Sequence, residues 1–379
     1  MTTLQPRPTL QALQAPTRRI WQYFDTILLA AVAFLVFYGF AMIRSTTLDS
    51  PSLSELPVKQ IQFAVAGVII MFIVTAIDYR YWHSLAQLLY GGVFMWLLAV
   101  FLLGLAAFGA QRWIDFFGLF FIQPSEMAKI GSIIWVAAYF ARHREKLSQF
   151  RWVIGSIIYA GLPVALILAQ PDLSTSITIM IIWFSMAWAA GLRWRHIGIF
   201  VGFGIVGLPI IWNLMAGFQR ARIINFINPS LDPGAQFNID QALISIGSGG
   251  LFGAGYSQAS QVQLRFLKVR HTDFIFSATA AELGLVGVLI MLVVFTLVVI
   301  RILRIARIAR DPFGAYMCYG FASALFFQML VNVGMNLNIL PVTGMSFPFV
   351  SYGGSSLLTF FVGIGLVQSV ALRHKRIEF

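Results

Sequence analysis

The sequence predicts an all-α integral membrane protein of about ten transmembrane helices, and three observations support that prediction. Of the 379 residues, 59% are hydrophobic and only 11% are charged, whereas soluble domains carry roughly 25% charged residues. The apolar residues form runs close to the ~20 residues that a spanning helix needs. The basic residues lie in short clusters between these runs, as topology signals do. We therefore expect lipid, rather than water, to surround most of the chain.

The predicted helices follow a polar segment, residues 1–19. This segment holds three prolines and three arginines, and we interpret it as a cytoplasmic tail. The rest of the chain, residues 20–379, is interpreted as a single transmembrane domain. The apolar runs lie at about 22–43, 58–77, 84–107, 125–142, 152–169, 174–190, 196–215, 274–300, 313–335 and 352–372.

The Lys and Arg residues orient the predicted bundle. Most of the 26 lie in the two tails and in the connections at 78–83, 142–151, 191–196 and 301–312. The positive-inside rule places such segments in the cytoplasm, and an even number of helices puts both termini there. Topology thereby explains the net charge of +12, so nucleic acid is not an expected partner.

The connections on the opposite, extracytoplasmic side hold the unusual chemistry. The loop at 108–124 is rich in aromatic residues, and the stretch at 216–273 is long enough to have a structure of its own. The loop at 336–351 has no charged residue. Because it is rich in Gly and Pro, we interpret it as a re-entrant segment, which protein or a water-filled cavity must cover.

Asp273 is the strongest candidate for chemistry, because it stands where the eighth apolar run begins. One interpretation is a helix cap, since a carboxylate at a helix start gains from the helix dipole. The other is a general base or a metal-binding carboxylate that faces a cavity. Glu282 lies inside the same apolar run. A carboxylate there is a functional candidate by default, or it makes a structural hydrogen bond between helices.

A second group of candidates opens the fourth apolar run. Pro124 and Ser125 signal a helix start, which makes Glu126 and Lys129 neighbours on one helix face. The two form either a self-neutralising ion pair that tolerates burial or, together with Arg112, a site for an anionic group. In the second interpretation Glu126 orients the cations.

Asp172 precedes the sixth run, where it would cap that helix as readily as Ser174 or Thr175. In the large loop, Arg220 and Arg222 are either headgroup anchors or ligands of an anion. The glycine-rich run at 247–255 is compatible with a phosphate cradle, but it lacks the Lys-Ser/Thr of a P-loop and no strand precedes it. Residues 239–256 are alternatively an interfacial helix and turn. The outer cluster of carboxylates and cations suggests a lipid-linked anion handled at the outer leaflet.

Together these motifs resemble the SEDS family (shape, elongation, division and sporulation) over nearly the whole chain. Any one of them is a weak signal, but their order and spacing are specific. The matching segments are GAQRW at 109–113, QPSE at 123–126 with Lys129, QPD at 170–172, IGSGGLFG at 246–253, HTDFIF at 271–276, AELGLVG at 281–287, LPVTG at 340–344 and PFVSYGGSS at 348–356.

The resemblance implies an inverting peptidoglycan glycosyltransferase that polymerises lipid II and releases undecaprenyl diphosphate during cell elongation. Asp273 would activate the 4-hydroxyl of the acceptor sugar, either as a base or through a divalent cation, Mg or Mn. Glu126 and Lys129 match a pair that the family needs for activity. Our own candidates for substrate binding, with the arginines contacting the diphosphate, are Arg112, Arg220, Arg222, Asp172, Ser248 and Ser351.

The resemblance also implies partners and a location in the bacterial cytoplasmic (inner) membrane. The family works with a class B penicillin-binding transpeptidase, whose single helix packs on helices eight and nine, and with other membrane proteins of the elongation complex. Two other function classes remain open: a lipid II flippase or transporter, which Glu282 would fit, and a scaffold for the transpeptidase. A division-type paralogue with the same chemistry is a further alternative.

Overall fold

The structure, a computed structural model, describes residues 21–48, 50–103, 105–107, 110–116, 120–146 and 149–375. Thirteen α-helices dominate these ranges, with short 3-10 turns at Trp21–Tyr23, Pro51–Leu53, Arg144–Lys146 and Pro229–Leu231. The helices are α1 Thr26–Thr47, α2 Leu56–Ala76, α3 Tyr79–Leu103, α4 Pro124–Arg142, α5 Phe150–Ala169, α6 Leu173–Ala189, α7 Trp194–Leu214, α8 Gly217–Ile227, α9 Pro233–Ser248, α10 Ser260–Gln263, α11 Ile275–Ile308, α12 Pro312–Asn336 and α13 Gly354–Leu372.

Within the described residues, seven helices are long and apolar enough to cross a membrane: α1, α2, α3, α5, α11, α12 and α13. The other three predicted runs fall on α4, α6 and α7. Of these, α6 and the first part of α7 are apolar but shorter, and α4 carries Glu126, Lys129 and Arg142. The chain is therefore a multi-pass membrane protein by the length and composition of its helices, and the count of ten stays a prediction.

Some of the helices begin where the sequence supplies a side-chain cap. Asp25 accepts a hydrogen bond from the Leu28 amide at the start of α1, and Asp311 accepts one from the Gly314 amide at the start of α12. α4 and α12 both have proline in their first turn, where the missing N–H costs nothing. Local capping thus accounts for boundaries that apolar runs alone define only approximately.

Helices α12 and α13 form the centre of the bundle. Their spanning windows are 61% and 78% buried, against 17% for α3. α12 packs on α4, α6 and α11, while α13 packs on α2. Large apolar side chains on the outer helices, such as Phe37 and Leu88, are exposed, as expected of surfaces that face lipid.

The predicted loop at 108–124 and the end of the third apolar run contain three short strands, which the prediction of an all-α fold did not include. β1 Leu105–Ala107, β2 Ala110–Phe116 and β3 Phe120–Ile122 form an antiparallel sheet in the order β1-β2-β3. Trp113 pairs with Leu105, and Ile114 pairs with Ile122. Aromatic and β-branched residues suit a pleated surface better than a helix, which is the physical reason for the departure.

The loop between α12 and α13 has no helix, and protein covers its backbone as predicted for a re-entrant segment. Phe347, Phe349 and Val350 are buried. The Val350 carbonyl lies so close to Gly39 of α1 that a Cβ at position 39 would be 2.4 Å from the oxygen. This loop therefore packs between the helices of the bundle and does not lie exposed on its outside.

Helix α11 is interrupted at Gly284, whose φ of 66° and ψ of −165° are not helical. The glycine-rich run fills the interruption, because its backbone pairs with the backbone of α11 on both sides of the break. This argues against the interpretation of the run as a phosphate cradle, since the amides of Ala254 and Gly255 already donate to carbonyls of α11. The four hydrogen bonds, written as donor amide and acceptor carbonyl, are Ala254–Ala281, Gly255–Glu282, Leu285–Gly250 and Val286–Leu251, at 2.9–3.1 Å.

Gly249→Ala is expected to lower the stability of the protein by about 1–3 kcal/mol, the usual cost of overpacking. A Cβ at position 249 would lie 1.9 Å from the carbonyl oxygen of Ala280, which is backbone and cannot move aside cheaply. Gly247 is the matched control, because a Cβ there meets nothing within 4 Å. The thermal unfolding midpoint in detergent should fall for Gly249→Ala alone; equal midpoints for both variants would contradict the pairing.

Candidate active site

Asp273 lies just before α11, and its backbone is held while its carboxylate is not. The carbonyl of Asp273 accepts hydrogen bonds from the side-chain amides of Asn332 and Asn336 on α12, at 3.0 and 2.9 Å. Within the described residues, no group donates a hydrogen bond to its carboxylate, so the helix-cap interpretation is not supported. Gly344 borders the carboxylate, since a Cβ there would be 3.7 Å from Oδ2. A fixed backbone with an unbonded carboxylate suits a general base.

The surroundings of Asp273 shift the pKa of its carboxyl group towards a value that suits proton transfer. Burial raises the pKa of Asp273 to about 6, and the positive charge of Arg222 opposes that rise. A base is most effective when its pKa lies near the working pH. Burial, followed by the charge of Arg270, lowers the pKa of the neighbouring His271 to about 4, so that imidazole is neutral near pH 7.

The segment at 347–352 positions the residues before Asp273. Ser351 donates a hydrogen bond from Oγ to the Thr272 carbonyl at 2.7 Å and accepts one from the Phe347 amide at 2.9 Å. The Tyr352 amide donates to the His271 carbonyl at 2.9 Å. The prediction that Ser351 binds substrate is therefore corrected: its hydroxyl is buried and already makes two internal hydrogen bonds. It holds the loop that carries Asp273.

Ser351→Ala is expected to cost about 1–3 kcal/mol of stability, because the buried amide of Phe347 loses its partner. The reaction rate should fall with the substrate KM nearly unchanged, since the loop carrying Asp273 is loosened. Ser248→Ala is the control, because that exposed hydroxyl only donates to the Ser245 carbonyl. Unfolding midpoints and steady-state kinetics test both; a raised KM for Ser351→Ala with normal stability would instead support substrate binding.

A cavity of about 200 Å³ lies against the loop that carries Gly344. It is formed by the start of α6, by α8 and by residues 341–343, and Arg222 and Gln219 line it. Ser174 closes one wall by donating to the Thr343 carbonyl at 2.9 Å. Arg222 therefore lines this cavity and also acts on the charge of Asp273, as suits a cation for an anionic group.

Asp172 lines the same cavity, but its carboxylate is already satisfied. It caps α6 by accepting from the Thr175 amide at 3.2 Å, and its second oxygen accepts from the Thr175 hydroxyl. Gln123 and Ser125 donate to that second oxygen at 3.1 and 3.2 Å. The capping interpretation is the one the geometry supports, and a direct role of Asp172 in binding substrate is corrected to positioning the start of α6 against α4.

Two of the remaining predicted binding residues, Arg220 and Ser248, are not among the described residues that line this cavity. Arg220 donates to the Asn213 carbonyl at 2.8 Å and thereby satisfies the end of α7. Ser248 is exposed at the end of α9, where the glycine-rich run begins. Arg112 lies in β2, but its side chain lies outside what the structure describes.

Glu126 and Lys129 form a buried ion pair in the first turns of α4. The ammonium lies 2.9 and 2.8 Å from the two carboxylate oxygens, and the residues are 7% and 4% exposed. Lys129 also lies 5.5 Å from the centroid of the Phe360 ring. Gln123 links the pair to Asp172, because its carbonyl accepts from the Glu126 amide at 3.0 Å and its side-chain amide donates to Asp172 at 3.1 Å. This geometry agrees with the interpretation of Glu126 and Lys129 as an ion pair that neutralises its own charge and tolerates burial.

The Glu282 carboxylate is the centre of a buried hydrogen-bond network. Both of its oxygens accept from the Ser45 hydroxyl of α1, and it also accepts from the Ser257 amide and, more weakly, from Gln263 of α10. Glu282 is completely buried. Its hydrogen bonds tie α1, α10 and the large loop to α11, which favours the structural interpretation over a transport role.

Two positioning residues were missed in the sequence. Asn332 and Asn336 are four residues apart in a mostly apolar helix, and both are fully buried. Because residues at that spacing share a helix face, this pair was a detectable signal that something polar packs on α12. That polar element is the Asp273 carbonyl.

The described side chains that could bind a metal ion are few, which limits how a cation would be held. Among the described residues, no group of three or more His, Cys, Asp or Glu side chains could hold a metal ion. Asp273 nevertheless offers an unbonded carboxylate, and Mg²⁺ is often held by one or two carboxylates together with phosphate oxygens. The residues therefore fit a cation shared with a phosphorylated ligand.

The fold and the site define a multi-pass membrane protein with a poised carboxylate and an arginine-lined cavity at one end of its helical bundle. The chain matches the family model for cell cycle proteins of the FtsW, RodA and SpoVE type over residues 21–376. The chain belongs to this family, which confirms the SEDS resemblance.

Named relatives extend over most of the chain. It is 40% identical to the peptidoglycan glycosyltransferase MrdB of Escherichia coli K12 over 355 residues, which cover 93% of this chain and 94% of MrdB. It is 35% identical to a probable peptidoglycan glycosyltransferase FtsW of Geobacter metallireducens, covering 94% of this chain and 97% of that protein.

Solved structures show the same fold. A chain of a peptidoglycan synthase complex that coordinates polymerization and crosslinking matches with a TM-score of 0.79 at 29% identity, covering 93% of this chain and 99% of that chain. The rod shape determining protein RodA of Thermus thermophilus matches with a TM-score of 0.70 at 30% identity, covering 93% and 97%.

Proposed function

We propose that this protein is a peptidoglycan glycosyltransferase that polymerises lipid II at the outer face of the bacterial cytoplasmic membrane during cell elongation. The observation that carries the proposal is the Asp273 carboxylate, which is unbonded within the described residues and has a pKa of about 6. The relatives named as peptidoglycan glycosyltransferases support the reaction class, and the higher identity to MrdB than to the FtsW relative supports elongation over division.

The reaction requires a base on one side of the new bond and positive charge on the other. Asp273 takes the proton from the 4-hydroxyl of the acceptor sugar, and the resulting oxygen attacks the anomeric carbon of the donor with inversion. The bond from that carbon to the diphosphate breaks, and undecaprenyl diphosphate leaves with the electron pair. Arg222 stabilises the charge that develops on this leaving group.

The alternative to direct proton transfer is activation through a divalent cation, Mg or Mn. Asp273 would then hold the cation, which would supply the positive charge that activates the 4-hydroxyl. Glu126 and Lys129 are proposed to contribute to activity, as the family resemblance implies. Their ion pair holds the carboxylate and the ammonium in place at the start of α4.

The proposed topology has ten spanning helices, with α4, α6 and α7 completing the seven long apolar ones. Both termini and the basic connections then face the cytoplasm, and the start of α11 with Asp273 faces outwards. The proposed partners are a class B penicillin-binding transpeptidase, supported by the likeness to a synthase complex that couples polymerization to crosslinking, and the membrane proteins of the elongation complex.

The test is reconstitution. The full chain, purified with and without its transpeptidase, should convert lipid II in detergent into glycan polymer, and the Asp273→Ala variant should not. Polymer formed equally by that variant would contradict the mechanism. Movement of lipid II across vesicles without polymer would support the transporter instead, although the satisfied hydrogen bonds of Glu282 argue against it.

A further inference from the structure

We propose that the end of the bundle opposite Asp273 binds the phosphate of an anionic phospholipid headgroup. α11 runs from beside Asp273 to Ile308, so the junction at Arg310–Pro312 between α11 and α12 lies at the far end. Two cavities, of about 450 and 400 Å³, flank this junction, and both are lined by Arg310, Asp311 and Pro312.

The lining of the two cavities is strongly positive. Of the described residues that line them, Asp311 alone is acidic. Its carboxylate is already used, because it accepts from the Gly314 amide at 3.0 Å and from the Tyr79 hydroxyl. The arginines that line one or both cavities are Arg80, Arg142, Arg144, Arg307 and Arg310.

Among the described residues, most of these arginines have no acidic partner. Arg80 pairs with Asp78 at 2.7 Å. Within the part of the chain that the structure describes, Arg144, Arg307 and Arg310 form no ion pair. Glu145 follows Arg144 in the sequence but lines neither cavity. A cavity lined by unneutralised arginines attracts an anion with several acceptor oxygens, and phosphate matches the guanidinium fork.

The position of the cavities favours a phospholipid over a free anion. They lie where α3 begins, α4 ends and α11 meets α12, which is the level of the headgroups for helices that span the bilayer. Ala141 and Phe313 add apolar surface beside the arginines of the first cavity. Basic pockets between membrane helices bind anionic headgroups, whose acyl chains remain in the bilayer.

The structure supplies a matched control. Arg193 and Arg195 follow α6 at the same end of the bundle and are exposed, and they line neither cavity. The variant Arg142→Gln with Arg310→Gln removes two charges from the first cavity, whereas Arg193→Gln with Arg195→Gln removes two charges outside it. Thermal unfolding in phosphatidylcholine micelles is measured first, and both double variants are expected to keep the wild-type midpoint.

The experiment measures binding of phosphatidylglycerol to the purified full chain by native mass spectrometry, with phosphatidylcholine as the neutral competitor. We expect about 30-fold weaker phosphatidylglycerol binding for the cavity variant and little change for the control variant. Equal losses for the two variants would mean that only the general surface charge acts, which overturns the proposal. Displacement of the lipid by millimolar inorganic phosphate would indicate a site for free anions and would also overturn it.

Discussion

Asp273→Asn is expected to lower kcat for glycan polymerisation by at least about 100-fold, within the range that a general base contributes. Asparagine keeps the shape of the side chain and cannot take a proton. The measurement is the initial rate of lipid II consumption by the full chain with its transpeptidase. A variant that retains more than a tenth of the rate would rule out Asp273 as the base.

The pH profile provides a second readout for the same residue. Because the base works in its ionised form and burial raises its pKa to about 6, the wild-type rate should fall as the pH is lowered through about 6. A rate independent of pH between 5 and 7, roughly one unit either side of that pKa, would contradict the assignment.

The stability of the Asp273→Asn variant shows whether its loss of activity comes from lost chemistry or from unfolding. The pKa of Asp273 is raised from 3.8 to about 6 in the folded protein. The unfolded chain therefore releases this proton first, and the protein loses stability as the pH rises through that interval. Asp273→Asn carries no charge, so at neutral pH it should be at least as stable as the wild type. A large fall in its unfolding midpoint would mean that the carboxylate has a structural partner.

Glu126→Gln is expected to destabilise the protein by about 3–5 kcal/mol, because it leaves the buried ammonium of Lys129 without its counter-charge. The pair is nearly closed to solvent, so water cannot replace the lost carboxylate. Thermal unfolding in detergent should show this as a large fall in the midpoint. A fall as small as that of an exposed pair, such as Lys59 with Glu55, would contradict the burial.

The double variant Glu126→Gln with Lys129→Met distinguishes structure from activity. Removing both charges leaves no unpaired ion, and replacing a buried pair by neutral groups is often nearly neutral for stability. We expect the unfolding midpoint to recover while polymerisation stays low, because the resemblance assigns this pair to the reaction. Recovery of both would show that the pair has only a structural role.

Much of the membrane architecture could be predicted from apolar runs and basic clusters. The run at 125–142 corresponds to α4 at Pro124–Arg142, and the run at 352–372 corresponds to α13 at Gly354–Leu372. These predictions depend only on composition over about 20 residues. The segment at 105–122 was mispredicted, because strands of three to seven residues are too short for that kind of signal.

The roles of single polar residues were harder to predict, because their partners are distant in sequence. Ser351 bonds to Thr272, 79 residues away. Gln123 bonds to Asp172, 49 residues away. A motif shows that a serine or aspartate is present, but whether its hydrogen-bonding capacity is free for substrate depends on what packs against it.

The sequence by itself determined a membrane protein of many helices, the basic clusters that orient it and Asp273 as the leading catalytic candidate, because composition and charge placement are local properties. Only the tertiary structure decided that the glycine-rich run fills the break in α11, that Asp172 and Ser351 are already satisfied, and that Asp273 is not. The physical reason is that a buried polar group must find a partner. Which groups remain without one is known only when every packed neighbour is in place.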